Sequence, residues 1–189
     1  QNPEIPTTAP SVQPADLPAH RPPTVHVDQR FSLEDYRPGE QILHIDGHTV
    51  NATDHMAFTR LFQNSARVHF DAHLTNGNPL VFGGYVMSVG YAQAHNGMEA
   101  RQGIVAINGG THANPVHAGD TLYSMTDVLA VEPMNSAPVG AVRCRLRVYK
   151  NLNPANGDLG TSSEERPDPR LVLDLDYWER MPKRPTATR

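Results

Sequence analysis

Residues 81–97 read VFGGYVMSVGYAQAHNG. No Asp, Glu, Lys or Arg interrupts them. A helix on a protein surface carries a charged or polar face, and one without such a face is buried all round. Val81 and Phe82 lead into a glycine pair, Gly83-Gly84, and the dipeptide Asn96-Gly97 closes the run, as a helix stop does. The stretch 85–95 therefore predicts a helix inside the domain, with other elements packed around it.

Beyond this helix the composition changes. Residues 103–133 and 139–152 are rich in β-branched residues and broken by Gly, Pro and Asn, which predicts strands. Residues 160–169 form a polar, proline-containing loop, and LVLDLDYWERM (171–181) alternates as a last strand. Before the helix, YRPGE (36–40) signals a turn. Residues 41–50 alternate, with Ile42, Leu43 and Ile45 against His44, Asp46 and His48, which predicts a strand with one polar face. Asn51 is a plausible cap, with Asp54 three residues on, for a short helix carrying Met56, Phe58, Leu61 and Phe62 at helical spacing. The order is strand, helix, buried helix, then several antiparallel strands. That is an α+β plan, an antiparallel sheet wrapped around a central helix.

Composition bounds the rest. A chain of 189 residues, 38% hydrophobic and 19% charged, can build one domain with a real core. The net charge of −4 gives no electrostatic case for nucleic acid. No apolar run approaches membrane length. A single cysteine, Cys144, rules out an internal disulfide and a cysteine zinc cluster, and fits a reducing cytoplasm. Seven of the 17 prolines fall in the first 23 residues. Proline removes a backbone donor and fixes φ, so residues 1–30 read as an extended linker, followed by a domain over 31–184 and a solvated tail over 185–189. The chain opens at Gln1 rather than Met, as a processed product or a portion of a longer chain would.

Chemistry-bearing residues gather in LFQNSARVHFDAH (61–73). His69 and His73 stand one helical turn apart and have zinc-ligand spacing, although Phe70 occupies the position where zincins carry Glu. Asn64 and His69 offer a different pairing. The amide can hold a water or a substrate oxygen, and the imidazole can move a proton near neutral pH. The alternating His44, Asp46 and His48 read as an exposed strand face or a metal-binding set. Gly83-Gly84 reads as a tight strand-to-helix turn or as an oxyanion site, because the first amides of a helix are unpaired and sit at the positive end of its dipole. The series Arg143, Arg145, Arg147 lines one strand face, as a solvated edge or a phosphate contact. HANPVHAGDTL (112–122) says only turn and strand.

Taken together these pieces resemble the MaoC-like, hot-dog-fold family of (R)-specific enoyl-thioester hydratases. That family carries an aromatic residue followed by Ser-Gly-Asp-x-Asn-Pro-hydrophobic-His-x-Asp. His69 and Asp71 fit the pattern, and Asn64 stands at the family's Asp position with the same spacing to the histidine. The family's His-Gly-Met before the central helix appears as Gly83-Gly84-Tyr85, and its PGDTL turn as residues 117–122. One branch, the mesaconyl-CoA hydratases (β-methylmalyl-CoA dehydratases), is more similar still. Its RLYQNTARVHF, YGG and AINxGRHxNPxxAGDT stretches match RLFQNSARVHF (60–70), VFGGYVMS (81–88) and AINGGTHANPVHAGDT (106–121). The end of the chain, VLDLDYWERMPKR (172–184), also looks alike.

The resemblance implies a MaoC-like hot-dog domain, equivalent to the proline-rich connector and C-terminal half of that branch. It implies a hydro-lyase that reversibly hydrates an enoyl-CoA thioester, mesaconyl-CoA foremost. Asn64, His69 and the Gly84 N–H would be catalytic, and Arg67, Gly83, Tyr85 and Asn108 would touch substrate. It implies no cofactor and no metal, an acyl-CoA substrate, and a second hot-dog domain as partner, on a separate chain or through self-pairing. Two other classes fit the same residues: a non-catalytic acyl-CoA-binding half, and a dehydratase acting on acyl-carrier protein.

Overall fold

The computed structural model describes residues 32–135, 137–156 and 168–185. The proline-rich segment and the 185–189 tail, Pro185 apart, lie outside those residues, as does most of the 160–169 loop. The elements run β1 (Gln41–Thr49), α1 (Ala52–Leu61), α2 (Gly83–Gln93), β2 (Ile104–Thr111), β3 (Thr121–Pro133), β4 (Val139–Lys150) and β5 (Leu171–Pro182). The five strands form one antiparallel sheet in the order β1-β3-β4-β5-β2.

The helix expected at 85–95 is α2, and the sheet curves around it. Tyr85, Val86, Val89, Gly90 and Gln93 are buried. They meet the inward residues of the central strands, including Leu122, Val128, Leu146, Val148, Leu173 and Tyr177. Approach is closest at Gly90, where a Cβ would lie 2.4 Å from Val148 Cγ2. The helix ends at Gln93 with Ala94 as its cap, earlier than the Asn96-Gly97 stop the sequence suggests, and Gly97 at φ +96° lies in the turn that follows.

β4 alternates strictly over its centre. Val142, Cys144, Leu146 and Val148 point into the core, and Arg143, Arg145 and Arg147 point out. This strand is central in the sheet, not a solvated edge. Its arginines pair across it, Arg143 with Asp176 and Arg145 with Asp174 on β5, and Arg147 with Asp127 on β3, each at 2.6 Å. The phosphate-contact reading therefore loses its free cations.

β1 inverts the expected faces. His44 is buried, while Leu43 and Ile45 are 43% and 72% exposed. The reason lies in what β1 covers. The end of α2 is polar, so inward residues must satisfy it. His44 Nδ1 donates to the Asn96 carbonyl at 2.7 Å, which leaves Nε2 to accept from Thr126 Oγ1 at 2.8 Å. Gln93 Nε2 donates to the carbonyls of Asp46 and Leu122, at 2.8 Å each. A register shift between His44 and His48 bends the strand over this junction. Among the described residues no set of three or more His, Cys, Asp or Glu side chains could hold a metal ion. Nor is any helix there long and apolar enough to cross a membrane.

Candidate active site

The path from α1 to α2 builds the site. Asn51 caps α1, its Oδ1 accepting the Thr53 N–H at 2.8 Å. Contrary to the helical-stripe expectation, Leu61 and Phe62 stay 75% and 60% exposed, and His55 and Thr59 are the buried residues. Gln63 adopts φ +54°, and the amides of Gln63 and Asn64 reach back to the carbonyls of Arg60 and Thr59 at 3.0 Å each. That is a Schellman stop with glutamine where glycine is usual. The chain then turns once more. Asn64 Oδ1 accepts the Ala66 N–H at 2.8 Å and leads into a 3-10 turn, Arg67–His69.

His69 is fixed by its back atom. Nδ1 lies 2.8 Å from the Leu80 carbonyl oxygen, which can only accept, so Nδ1 carries the proton. Nε2 is left as the lone-pair nitrogen, the form a general base needs. The same segment is tied down by main chain, Leu80 N–H to the Val68 carbonyl at 3.0 Å and Val81 N–H to the Val116 carbonyl at 2.9 Å. Only three residues separate Leu80 from Gly84, so the imidazole and the start of α2 form one rigid frame.

Neither Gly83 nor Gly84 has positive φ, so backbone freedom does not explain the pair. Close packing does. A Cβ on Gly83 would lie 2.5 Å from His112 Nε2, and one on Gly84 would lie 2.7 Å from the Phe82 ring. The first amides to find an acceptor are Tyr85 and Val86, both on the Phe82 carbonyl, at 2.9 and 3.3 Å. The Gly83 and Gly84 amides have no protein acceptor among the described residues. They stand at the positive end of an 11-residue helix, as an anion or oxyanion site requires.

His69, Gly83 and Gly84 line one cavity of about 530 Å3, along with Phe82, His112 and Asn114. The structure thus gathers three of the expected site residues. It does not bring Asn64, Arg67, Tyr85 or Asn108 to that wall. Arg67 pairs with Asp71, and its guanidinium holds that carboxyl below the usual carboxylate range. Asp71 also caps the following turn through the His73 and Leu74 amides, at 3.1 Å each, so it shapes the loop. Tyr85 is buried with its hydroxyl 2.9 Å from His48 Nε2. Asn108 donates to Asp176 at 3.0 Å. His112 is a site residue that the sequence does not announce. Its stretch reads as turn chemistry, and only packing against Gly83 carries it to the cavity.

No protein-family model matches the chain. It is 38% identical to β-methylmalyl-CoA dehydratase of Chloroflexus aurantiacus over 164 residues, covering 84% of this chain and 46% of that protein. It is 43% identical to mesaconyl-CoA hydratase of Cereibacter sphaeroides over 151 residues, covering 79% and 43%. Among solved structures, a C. aurantiacus protein described as a MaoC domain protein dehydratase superposes with a TM-score of 0.77 at 36% identity, covering 84% of this chain and 46% of that one. A Mycobacterium tuberculosis protein with a double hotdog fold gives 0.64 at 22% identity, covering 84% and 46%. The chain spans less than half the length of the curated relatives it matches.

Proposed function

Because this chain is a MaoC-like hot-dog domain similar to part of β-methylmalyl-CoA dehydratase and mesaconyl-CoA hydratase, we propose that it acts as a hydro-lyase on an enoyl-CoA thioester. Mesaconyl-CoA, hydrated reversibly to β-methylmalyl-CoA, is the leading substrate. The observation that carries this reading is the His69 tautomer. Its Nδ1 is committed to the Leu80 carbonyl, and its Nε2 is a base in a cavity that also holds the unpaired Gly84 amide.

The steps rest on those two groups. His69 Nε2 takes a proton from water as the water oxygen bonds to the β-carbon. The electron pair of the double bond moves toward the thioester, and negative charge builds on its oxygen. The Gly84 N–H donates to that oxygen, and losing one such donor typically costs about 2.7–4 kcal/mol. The imidazolium returns its proton to the α-carbon, so one water is added in all. Asn64 lies off the cavity wall and its Oδ1 accepts the Ala66 N–H at 2.8 Å, so its proposed contribution is to brace the turn that presents His69. It cannot share the proton as a carboxylate would, so His69 acts alone as base.

Gly83 has the best support among the proposed substrate contacts, since it lines the cavity. Arg67, Tyr85 and Asn108 would reach substrate only at its periphery. A second hot-dog domain is the proposed partner. The greater length of the relatives supports it, as do the exposed Leu61, Phe62 and Val68 flanking the His69 loop. A cytoplasmic location fits the buried free thiol of Cys144.

The test is steady-state hydration of mesaconyl-CoA by the purified chain in its native assembly. His69→Ala is expected to lower kcat by roughly 10²–10⁴-fold, the share general acid–base groups supply. A His69→Ala protein that turns over at the wild-type rate would falsify the mechanism.

A further inference from the structure

Among the described residues the cavity wall carries three side chains able to hydrogen-bond in the usual way, His69, His112 and Asn114, and no lysine or arginine. Two of them are already committed. His69 holds the Leu80 carbonyl through Nδ1 and keeps Nε2 as a base. Asn114 Nδ2 donates to the carbonyls of Asp168 and Leu171, at 3.2 and 2.7 Å. That leaves Asn114 its carboxamide oxygen, an acceptor that repels a carboxylate.

His112 is different, because neither ring nitrogen has a hydrogen-bond partner among the described residues. Its ring is partly exposed but packs against the start of α2. Nε2, Cε1 and Cδ2 would lie 2.5, 2.7 and 2.9 Å from a Cβ on Gly83, so the imidazole rests on the glycine that begins α2. It sits beside the proposed oxyanion amide, in the same cavity as the proposed base.

Resting on the hydratase reading, we propose that His112 is the specificity residue for the acyl group. Its ring N–H donates to a second carboxylate carried by the enoyl thioester beyond the double bond. The chemistry requires a donor somewhere on this wall. In mesaconyl-CoA the distal carboxylate lies across the double bond from the thioester carbonyl. Once that carbonyl is at Gly84 and the β-carbon is near His69, the carboxylate must meet the remaining wall. Among the described residues of the wall, His112 alone offers it an uncommitted side-chain donor. Desolvation by partial burial also lowers the ring's pKa from its ordinary value. A site built around such a hydrogen bond discriminates strongly against an analogue lacking the bonded group.

The experiment compares mesaconyl-CoA with tiglyl-CoA, which has the same skeleton and a methyl in place of the distal carboxylate. The full chain is used in its native assembly. His112→Ala is expected to raise KM for mesaconyl-CoA roughly 10- to 100-fold, as loss of a hydrogen bond to a charged group does, with kcat little changed and tiglyl-CoA kinetics unaffected. His112→Gln, which keeps a donor nitrogen, should recover part of the preference. Equal loss on both substrates, or no change on either, overturns the role of His112 while leaving the hydratase reading in place. A wild-type protein that hydrates neither thioester overturns the hydratase reading, and this inference with it.

Discussion

Asn64 and His69 stand five residues apart and are held in different ways. The imidazole is locked from behind by a carbonyl, and the amide is turned into a local brace by accepting the Ala66 N–H. A carboxylate at position 64 could accept that bond equally well. Asn64→Asp is therefore expected to leave stability unchanged within about 0.5 kcal/mol while adding a second base near His69. Asn64→Ala removes the acceptor. It should cost about 0.5–1.5 kcal/mol, one net hydrogen bond, and lower kcat by loosening the turn that carries His69. Urea unfolding of the two variants beside steady-state kinetics separates these effects. Equal stability loss in both would show that the Ala66 bond is not what the side chain contributes. The brace is not legible in the sequence, because asparagine at a turn and asparagine at a catalytic position look the same until partners are known. His69 is legible through the motif around it.

At the scale of elements, α2 is the part most readable in advance. A charge-free helix of this length packs under a sheet, and Gly83-Gly84 prove to be its first residues while it stops at Gln93, short of Gly97. Its seating against β4 depends on Gly90, which leaves 2.4 Å between an added Cβ and Val148 Cγ2. Gly90→Ala gains about 1 kcal/mol of helix propensity but overpacks this contact, which typically costs about 1–3 kcal/mol. The expected net is destabilisation, and pairing it with Val148→Ala should recover part of the loss in a thermal melt. Additive losses from the two changes would place the strain elsewhere. The strands after α2 are also readable, since β4 alternates over its centre and β5 over Leu173–Tyr177. β1 and α1 depart from expectation for one physical reason. Hydropathy assigns a face to each, yet β1 turns His44 inward to meet the polar end of α2, and α1 leaves Leu61 and Phe62 in solvent. Hydropathy reports what a residue prefers, and these faces are set by what lies opposite.

At the scale of the whole molecule, the core encloses a carboxylate that hydropathy would not place there, although the alternation of β5 turns it inward. Glu179, on β5, is fully buried. Oε1 accepts the Gly103 N–H at 2.6 Å and Oε2 accepts from Tyr91 Oη at 3.0 Å, so the side chain joins α2, β5 and the start of β2. Burial raises its pKa above the ordinary 4.5, outweighing those bonds and the nearby Arg101, which favour the ionised form. The folded state then binds this proton more tightly than the unfolded chain does. Its contribution to stability is fully present below the unfolded value of about 4.5 and is lost as pH rises through the raised folded value. Other carboxylates run the other way. Asp35, Asp71 and Asp168 have lowered pKa values, chiefly from hydrogen bonds, and they lose their contribution as pH falls. A single stability curve therefore mixes opposing slopes, and a difference curve isolates one group. Glu179→Gln keeps an acceptor for Gly103 and offers Tyr91 an N–H, without a charge to bury. Measured by urea unfolding from about pH 4.5 to 8, the stability of Glu179→Gln minus that of the wild type is expected to climb with pH and then level off above the folded pKa. Parallel curves across that range would mean that Glu179 ionises in the folded core at no cost.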